Sequence, residues 1–452
     1  MENSKEFLPY LWGKFLSRIK KTKTNQTNTM QKERLISLDV FRGFTILLMT
    51  IVNNPGSWSH IYPPLEHAEW NGCTPTDLVF PFFIFIMGTA IPFAMPSKLL
   101  DYAVFNKILV RSLRIFCLGL FLNFFSRIEV LSLEGIPLLI ARLIITFAVA
   151  YALLGNFTLK IKSYLVFLLL AILLFLAYSG IPAYEDVRIP GVLQRIGIVY
   201  FFSSLLYLKT NLKTQLVIAS IILLVYWALM TLIPVPGFGP ANLEKGTNLA
   251  AWIDNLVLNG HLWASSKTWD PEGILSTLPA IASGILGMYI GQILNKPIEK
   301  LEIVKKTAIA GIILLILGLI WGIFFPINKS LWSSSYVLYT AGIASLCLTL
   351  LYYIIDVADY KRWTKLFLVW GVNPMIVFFF SGIIPRALSA IKIENPNGTS
   401  EPINLQKFIY DFNIVPLFSD PLNASLFYAV GYAVFWSLIL WGFYKYKLFF
   451  KV

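Results

Sequence analysis

Asp-Leu-Val-Phe-Pro-Phe-Phe-Ile-Phe-Ile-Met-Gly-Thr-Ala-Ile-Pro-Phe-Ala-Met-Pro, residues 77 to 96, carries one charge, at its first position, and is otherwise almost wholly apolar. About 20 such residues are what a helix needs to cross the hydrocarbon core of a bilayer. Similar runs recur near 38–55, 107–126, 136–156, 162–180, 191–209, 213–233, 273–294, 306–326, 333–356, 363–385 and 424–447, which makes about twelve spans. Hydrophobic residues are 57% of the chain and charged residues 13%, whereas a soluble domain carries about 25% charged residues. The mean hydropathy is +0.69. Backbone polar groups in lipid must be satisfied within the segment, so spans of this length should be helical. The short alternating segments of a membrane β-barrel are absent. The sequence therefore predicts an all-α, polytopic membrane bundle over residues 36–452.

Charge gives the orientation. Lysine and arginine crowd the N-terminal segment (Lys14, Arg18, Lys20, Lys21, Lys23, Lys32, Arg34). They return at Lys98 to Arg114, Lys160 and Lys162, Lys209 and Lys213, Lys296 to Lys306, Lys361 to Lys365, and Lys445 to Lys451. The alternate loops are poor in them, and the loop from Asn54 to Thr76 has none. The positive-inside rule then puts both termini in the cytoplasm and all three histidines (His60, His67, His261) on the outer side of the membrane. The net charge of +13 speaks of topology and anionic lipid headgroups, not of nucleic acid.

Residues 1–35 lack the uninterrupted apolar core of a cleavable signal. Leu8, Leu11, Trp12, Phe15 and Ile19 recur at helical spacing among basic residues, which suits either an amphipathic helix on the inner membrane face or a basic tail. The outer segments 234–272 and 386–423 are rich in Pro, Gly, Asn and Asp and read as turn-rich loops. Asn397-Gly-Thr399 matches a glycosylation sequon. Three cysteines make no disulfide framework, and no metal-ligand spacing surrounds Cys73; no metal is expected.

The outer loop after the first span is densely polar: Val-Asn-Asn-Pro-Gly-Ser-Trp-Ser-His (52–60), then Glu-His-Ala-Glu-Trp-Asn-Gly-Cys-Thr-Pro-Thr-Asp (66–77). Histidine titrates nearest neutrality, so His67 is a natural proton carrier or acyl acceptor. Three further clusters fall on the same predicted face. They are Val-Arg-Ile-Pro-Gly-Val-Leu-Gln-Arg (187–195), Asp-Pro-Glu-Gly-Ile-Leu (270–275) and Pro-Ile-Asn-Lys-Ser-Leu-Trp-Ser (326–333). Helix capping explains any one of them, but four on one face suggest a shared site. At the opposite end of the first span, Asp39 and Arg42 lie three apart on one helix face. Intramembrane charges are costly and are usually paired or turned to a cavity, so this pair reads as a packing salt bridge or as an arginine awaiting an anionic ligand from the cytoplasm.

Ser-Leu-Asp-Val-Phe-Arg-Gly (37–43), the His67 block with the run that follows it, Arg-Ile-Pro-Gly-Val-Leu-Gln-Arg, Asp-Pro-Glu-Gly and Pro-Ile-Asn-Lys-Ser-Leu-Trp together resemble the heparan-α-glucosaminide N-acetyltransferase family, in order, from about residue 34 to 385. The chain is similar to that family's bacterial branch, within a wider set of membrane acyltransferases. It departs in lacking the family's large N-terminal lumenal domain and in an apparent extra helix pair, the fourth and fifth spans. The resemblance implies acetyl transfer from cytoplasmic acetyl-CoA to the amine of a glucosamine-type sugar, or a glycosaminoglycan fragment, on the far side of the membrane. It makes His67 and Asn53 catalytic, His67 as general base or as acetyl carrier. Asn53 would polarise the thioester carbonyl or orient the imidazole, and Glu66, Glu69 or Asp77 would hold the ring's other nitrogen. Asp77, Trp70, Arg188, Asp270, Glu272, Asn328 and Trp332 become candidate substrate contacts. Arg42, Arg111 and Arg114 become candidate partners for the CoA phosphates. Membrane lipid surrounds such a bundle, and a homodimer is compatible with it. The alternative is an inner-membrane permease for amino sugars or their oligomers, though the related halves and interrupted helices of many transporters are not seen in the sequence.

Overall fold

The computed structural model describes residues 35–396 and 401–450. The basic N-terminal segment and the Asn397 sequon lie outside the described residues. The helices are α1 (Ile36–Val52), α2 (Val79–Ala94), α3 (Tyr102–Phe124), α4 (Gly135–Leu154), α5 (Leu159–Ala177), α6 (Val192–Lys209), α7 (Leu212–Leu232) and α8 (Leu249–Leu258). They continue with α9 (Thr277–Leu294), α10 (Lys300–Gly322), α11 (Ser334–Tyr352), α12 (Lys365–Gly371), α13 (Pro374–Ala390), α14 (Leu405–Phe408) and α15 (Pro421–Lys445). Among the described residues the only strands are two short ones, Lys392–Ile393 and Ile403–Asn404, paired antiparallel. The chain is an all-α polytopic membrane protein.

Every expected span meets a helix, with differences in detail. Among the described residues ten helices are long and apolar enough to cross a membrane, and the α12–α13 pair raises that to eleven; α1, at 17 residues, occupies the first expected position. The run 363–385, expected as one span, is broken by 78° between Gly371 and Pro374. A residue before proline is pushed out of helical geometry, and Asn373 sits at φ −126°, ψ 50°. Its side chain is tied to the chain's far end instead: Nδ2 donates to the Leu448 carbonyl and Oδ1 accepts the Phe450 N–H, both at 2.9 Å. The outer segment 234–272, expected as loop, contains α8, capped by the Asn248 side chain.

Glycines set how closely the inner helices approach. A Cβ on Gly88, Gly287 or Gly291 would fall 2.1–2.3 Å from a backbone oxygen of the facing helix, which locks α2 to α9. Gly43 and Gly371 do the same between α1 and α12. Lipid gives helices little hydrophobic reason to associate, so close backbone packing through small residues is the usual membrane solution. α2, α3 and α9 are the most enclosed spans, while α4 and α5, the expected extra pair, turn most of their surface outward.

Candidate active site

The loop between α1 and α2 ends in a single 3-10 turn, Pro75–Leu78, closed by a reciprocal cap between Thr74 and Asp77. Oδ2 of Asp77 accepts the Thr74 N–H and the Ala68 N–H, each at 3.0 Å. This bends residues 67 to 77 back on themselves and leaves Oδ1 facing His67, whose Nδ1–H donates to it at 2.7 Å. A carboxylate on Nδ1 fixes the tautomer and leaves the Nε2 lone pair for chemistry. Of the three acidic candidates for that role, Asp77 occupies it. Asp77 itself is buried, and its backbone oxygen is held by Tyr336 OH at 2.6 Å.

A second loop locks onto the first. The Gly72 N–H donates to the Ile327 carbonyl at 2.7 Å, and Asn328 Nδ2 donates to Asn71 Oδ1 at 3.2 Å. The turn that follows is tight: Trp332 sits at φ +53° and its N–H returns to the Lys329 carbonyl. It carries Lys329 to the imidazole, with Nζ 3.0 Å from Nδ1, 3.3 Å from Nε2 and 3.4 Å from Asp77 Oδ1. Burial pulls Lys329 below the ordinary lysine range, and Asp77 opposes that.

A third group forms where the chain enters α6 and α9. Arg188 grips Asp270 with two bonds, Nε to Oδ2 at 2.8 Å and Nη2 to Oδ1 at 2.6 Å, and also bonds Glu272. Burial works against the Arg188 charge, but Glu272 and Asp270 outweigh it and hold the guanidinium above its ordinary value. Burial raises Asp270, and Arg188 offsets part of that.

These three groups share a cavity of about 640 Å³, lined among others by Asn53, His67, Glu69, Asp77, Arg188, Glu272 and Lys329. That falls in the range of about 300–1,000 Å³ usual for small-molecule sites. Trp70, Trp263 and Trp269 wall it, with Trp269 edge-on to both others at 5.4 and 5.7 Å. Met49, Phe83 and Phe378 carry the cavity between the spans. Asn53 reaches it from the position just after α1, its N–H donating to the Met49 carbonyl at 3.0 Å.

Other expected residues lie elsewhere. Trp332 is buried behind the site, bonded to Ser283 and set beneath Arg195 at 5.0 Å, so it has no face for a ligand. Asn328 is also buried and is spent on Asn71 and the Leu331 N–H. None of Arg42, Arg111 and Arg114 lines the cavity. Arg42 bonds Asp39 at 2.9 Å, Arg114 donates to the Leu153 carbonyl at 2.5 Å, and Arg111 lies over the Tyr200 ring at 4.8 Å. Arg42 precedes Asn53 by eleven residues, about 16 Å of helix. His261 is buried against the Val187 carbonyl and Tyr178. Burial, then Asp77, pushes the Cys73 thiol up to about 12, so it stays protonated near neutrality.

Sequence reasoning passed over Lys329, Lys245, Trp263 and Trp269. The available signal was Lys329 itself, the lone charge between Ile323 and Ser333 on the face whose loops are poor in basic residues.

Comparison with known proteins points one way. Residues 34–234 match a family described as a domain of unknown function, DUF5009. The heparan-alpha-glucosaminide N-acetyltransferase of Homo sapiens is 29% identical over 76% of this chain and 52% of its own length. That of Mus musculus is 28% identical over 78% of this chain and 54% of its own length. The chain spans about half the length of these curated relatives.

Proposed function

We infer, for a chain that belongs to the family of the heparan-α-glucosaminide N-acetyltransferases, that it is an integral-membrane acetyltransferase. It moves acetyl from acetyl-CoA to the amine of a glucosamine-type sugar. The observation that carries this reading is the Asp77–His67 pair at the wall of a tryptophan-lined cavity. An acceptor amine must lose a proton to attack a thioester, and an imidazole with Nδ1 held by a carboxylate can take that proton on Nε2, or take the acetyl group itself. Trp70 and Trp269 offer apolar faces for a sugar ring. Glu272 and Glu69 offer acceptors for its amine and hydroxyls, and the Asn53 amide can donate to the thioester carbonyl.

The donor approaches from the opposite face. Positive-inside orientation puts Arg42, Arg111 and Arg114 toward the cytoplasm and His67 toward the periplasm of an inner membrane. The apolar end of the cavity at Met49 is seven residues from Arg42, about 10 Å along α1, a gap that an extended pantetheine arm covers. The test uses right-side-out vesicles loaded with acetyl-CoA and given glucosamine outside. N-acetylglucosamine detected by mass spectrometry in the outer medium supports the reading. Product formed only when both substrates share one compartment contradicts the two-sided part of it.

A further inference from the structure

Lys329 is a cation set against an imidazole that, once protonated, it would repel. Its Nζ lies 3.0 and 3.3 Å from the two ring nitrogens of His67. Those nitrogens flank a single carbon, so a group this close to both cannot lie in the ring plane without striking that carbon; it sits over the ring face. The Nδ1 hydrogen is committed to Asp77, so the contact is an ammonium over the ring face and not a second hydrogen bond to Nδ1. Asp77 Oδ1, 3.4 Å from Nζ, anchors the cation and the ring together. The backbone beneath is fixed: Asn328 Oδ1 accepts the Leu331 N–H at 2.9 Å, and Tyr226 OH donates to the Leu331 carbonyl at 2.5 Å.

We propose that Lys329 is a catalytic residue of the acetyl transfer, stabilising the oxyanion that forms on the acetyl carbonyl during attack. This rests on the acetyltransferase reading above. In the step, the amine nitrogen forms a bond to the thioester carbon while His67 Nε2 removes the amine proton. The carbonyl π pair moves to oxygen, and its return breaks the C–S bond; the leaving thiolate takes the proton from Nε2. If imidazole attacks first, Nε2 bonds the acetyl carbon and an oxyanion forms two bonds from Nε2; its collapse expels the CoA thiolate, and the amine then displaces the imidazole through a second oxyanion at the same place, its proton going to the thiolate. In either order the negative oxygen develops beside Nε2, where the ammonium already lies. Lys329 is half-buried at the cavity wall, its side chain 21% exposed, and an ammonium partly withdrawn from water donates more strongly than one in bulk water. The charged and titratable groups facing the pair are Asp77 and Cys73 beside it and Glu272, Arg188, Glu69 and Lys245 around the cavity.

The experiment compares wild type with Lys329→Met and Lys329→Ala, purified in detergent, with acetyl-CoA and glucosamine. Lys329→Met should lower kcat by roughly 100-fold or more, the usual loss of one oxyanion donor, with little change in the KM for acetyl-CoA. Ethylammonium should restore Lys329→Ala, and ethanol should not. Activity within a few-fold of wild type, or equal rescue by ethanol, would overturn the proposal. If Lys329→Met does not fold, the rescue of Lys329→Ala decides alone. A wild type that transfers no acetyl to any amino sugar sinks the acetyltransferase reading itself, a result distinct from each of these.

Discussion

Asp77 binds His67 and its own loop with one carboxylate: Oδ1 takes the Nδ1–H of His67 at 2.7 Å, while Oδ2 takes the backbone N–H groups of Ala68 and Thr74. Ring orientation and loop closure are thus one interaction. In Asp77→Asn the backbone bonds can persist through the amide oxygen, but an NH2 then faces Nδ1. The imidazole must accept there and carry its hydrogen on Nε2, the wrong tautomer for a base. The kcat should fall by roughly 10²- to 10⁴-fold with CoA binding unchanged. Asp77→Ala should add a loss of stability, about 1–3 kcal/mol per stranded partner, visible as a lower unfolding temperature.

Arg188 compensates two carboxylates at once, and Asp270 is fully enclosed. Removing one partner of a buried pair costs about 3–5 kcal/mol, because a charge is left uncompensated. Arg188→Met should therefore unfold at a clearly lower temperature in the same detergent. The double variant Arg188→Met/Asp270→Asn should recover part of the loss. An unchanged midpoint in the single variant would mean that the cluster is solvated.

Asp254, in the short helix α8, accepts the Ile274 N–H at 2.8 Å. Burial, reinforced by Asp270, lifts its pKa to about 7. The folded value lies above the unfolded one of about 3.9, so the native state binds more protons between them. Stability should decline as pH rises from about 4 to 7, with the full penalty present above 7. Asp254→Asn keeps the acceptor for Ile274 and removes the titration. Thermal unfolding at pH 5.5 and 7.5 should differ less in Asp254→Asn than in wild type.

Donor binding and chemistry should separate by residue. Arg42→Ala should weaken CoA binding in isothermal titration, and His67→Ala should leave it largely intact while ending transfer. Lost CoA affinity in His67→Ala, with none lost in Arg42→Ala, would sink the two-ended arrangement.

The spans were legible because hydrocarbon imposes one requirement, about 20 apolar residues, on each of them. Pro374 and the Asn373 before it marked the break in the eleventh, yet its apolar composition reads straight through. The polar clusters around His67, Arg188 and Asp270 were visible as costly residues in an apolar chain. Their pairing was not, because Arg188 and Asp270 are 82 residues apart and only packing brings them together. Trp332 looked like a ligand platform on composition alone; its burial beneath Arg195 follows from a backbone turn that no periodicity announces. Lys329 was hidden for the opposite reason, since one lysine in a loop ordinarily faces water.

The central claim is acetyl transfer through His67. Purified wild type and His67→Ala are given acetyl-CoA with and without a panel of amino sugars, and free thiol is followed. The account predicts acceptor-dependent CoA release by wild type, with a matching N-acetylated product, and none above background for His67→Ala. Release by wild type that is the same with and without every acceptor, or transfer by His67→Ala at the wild-type rate, would contradict it.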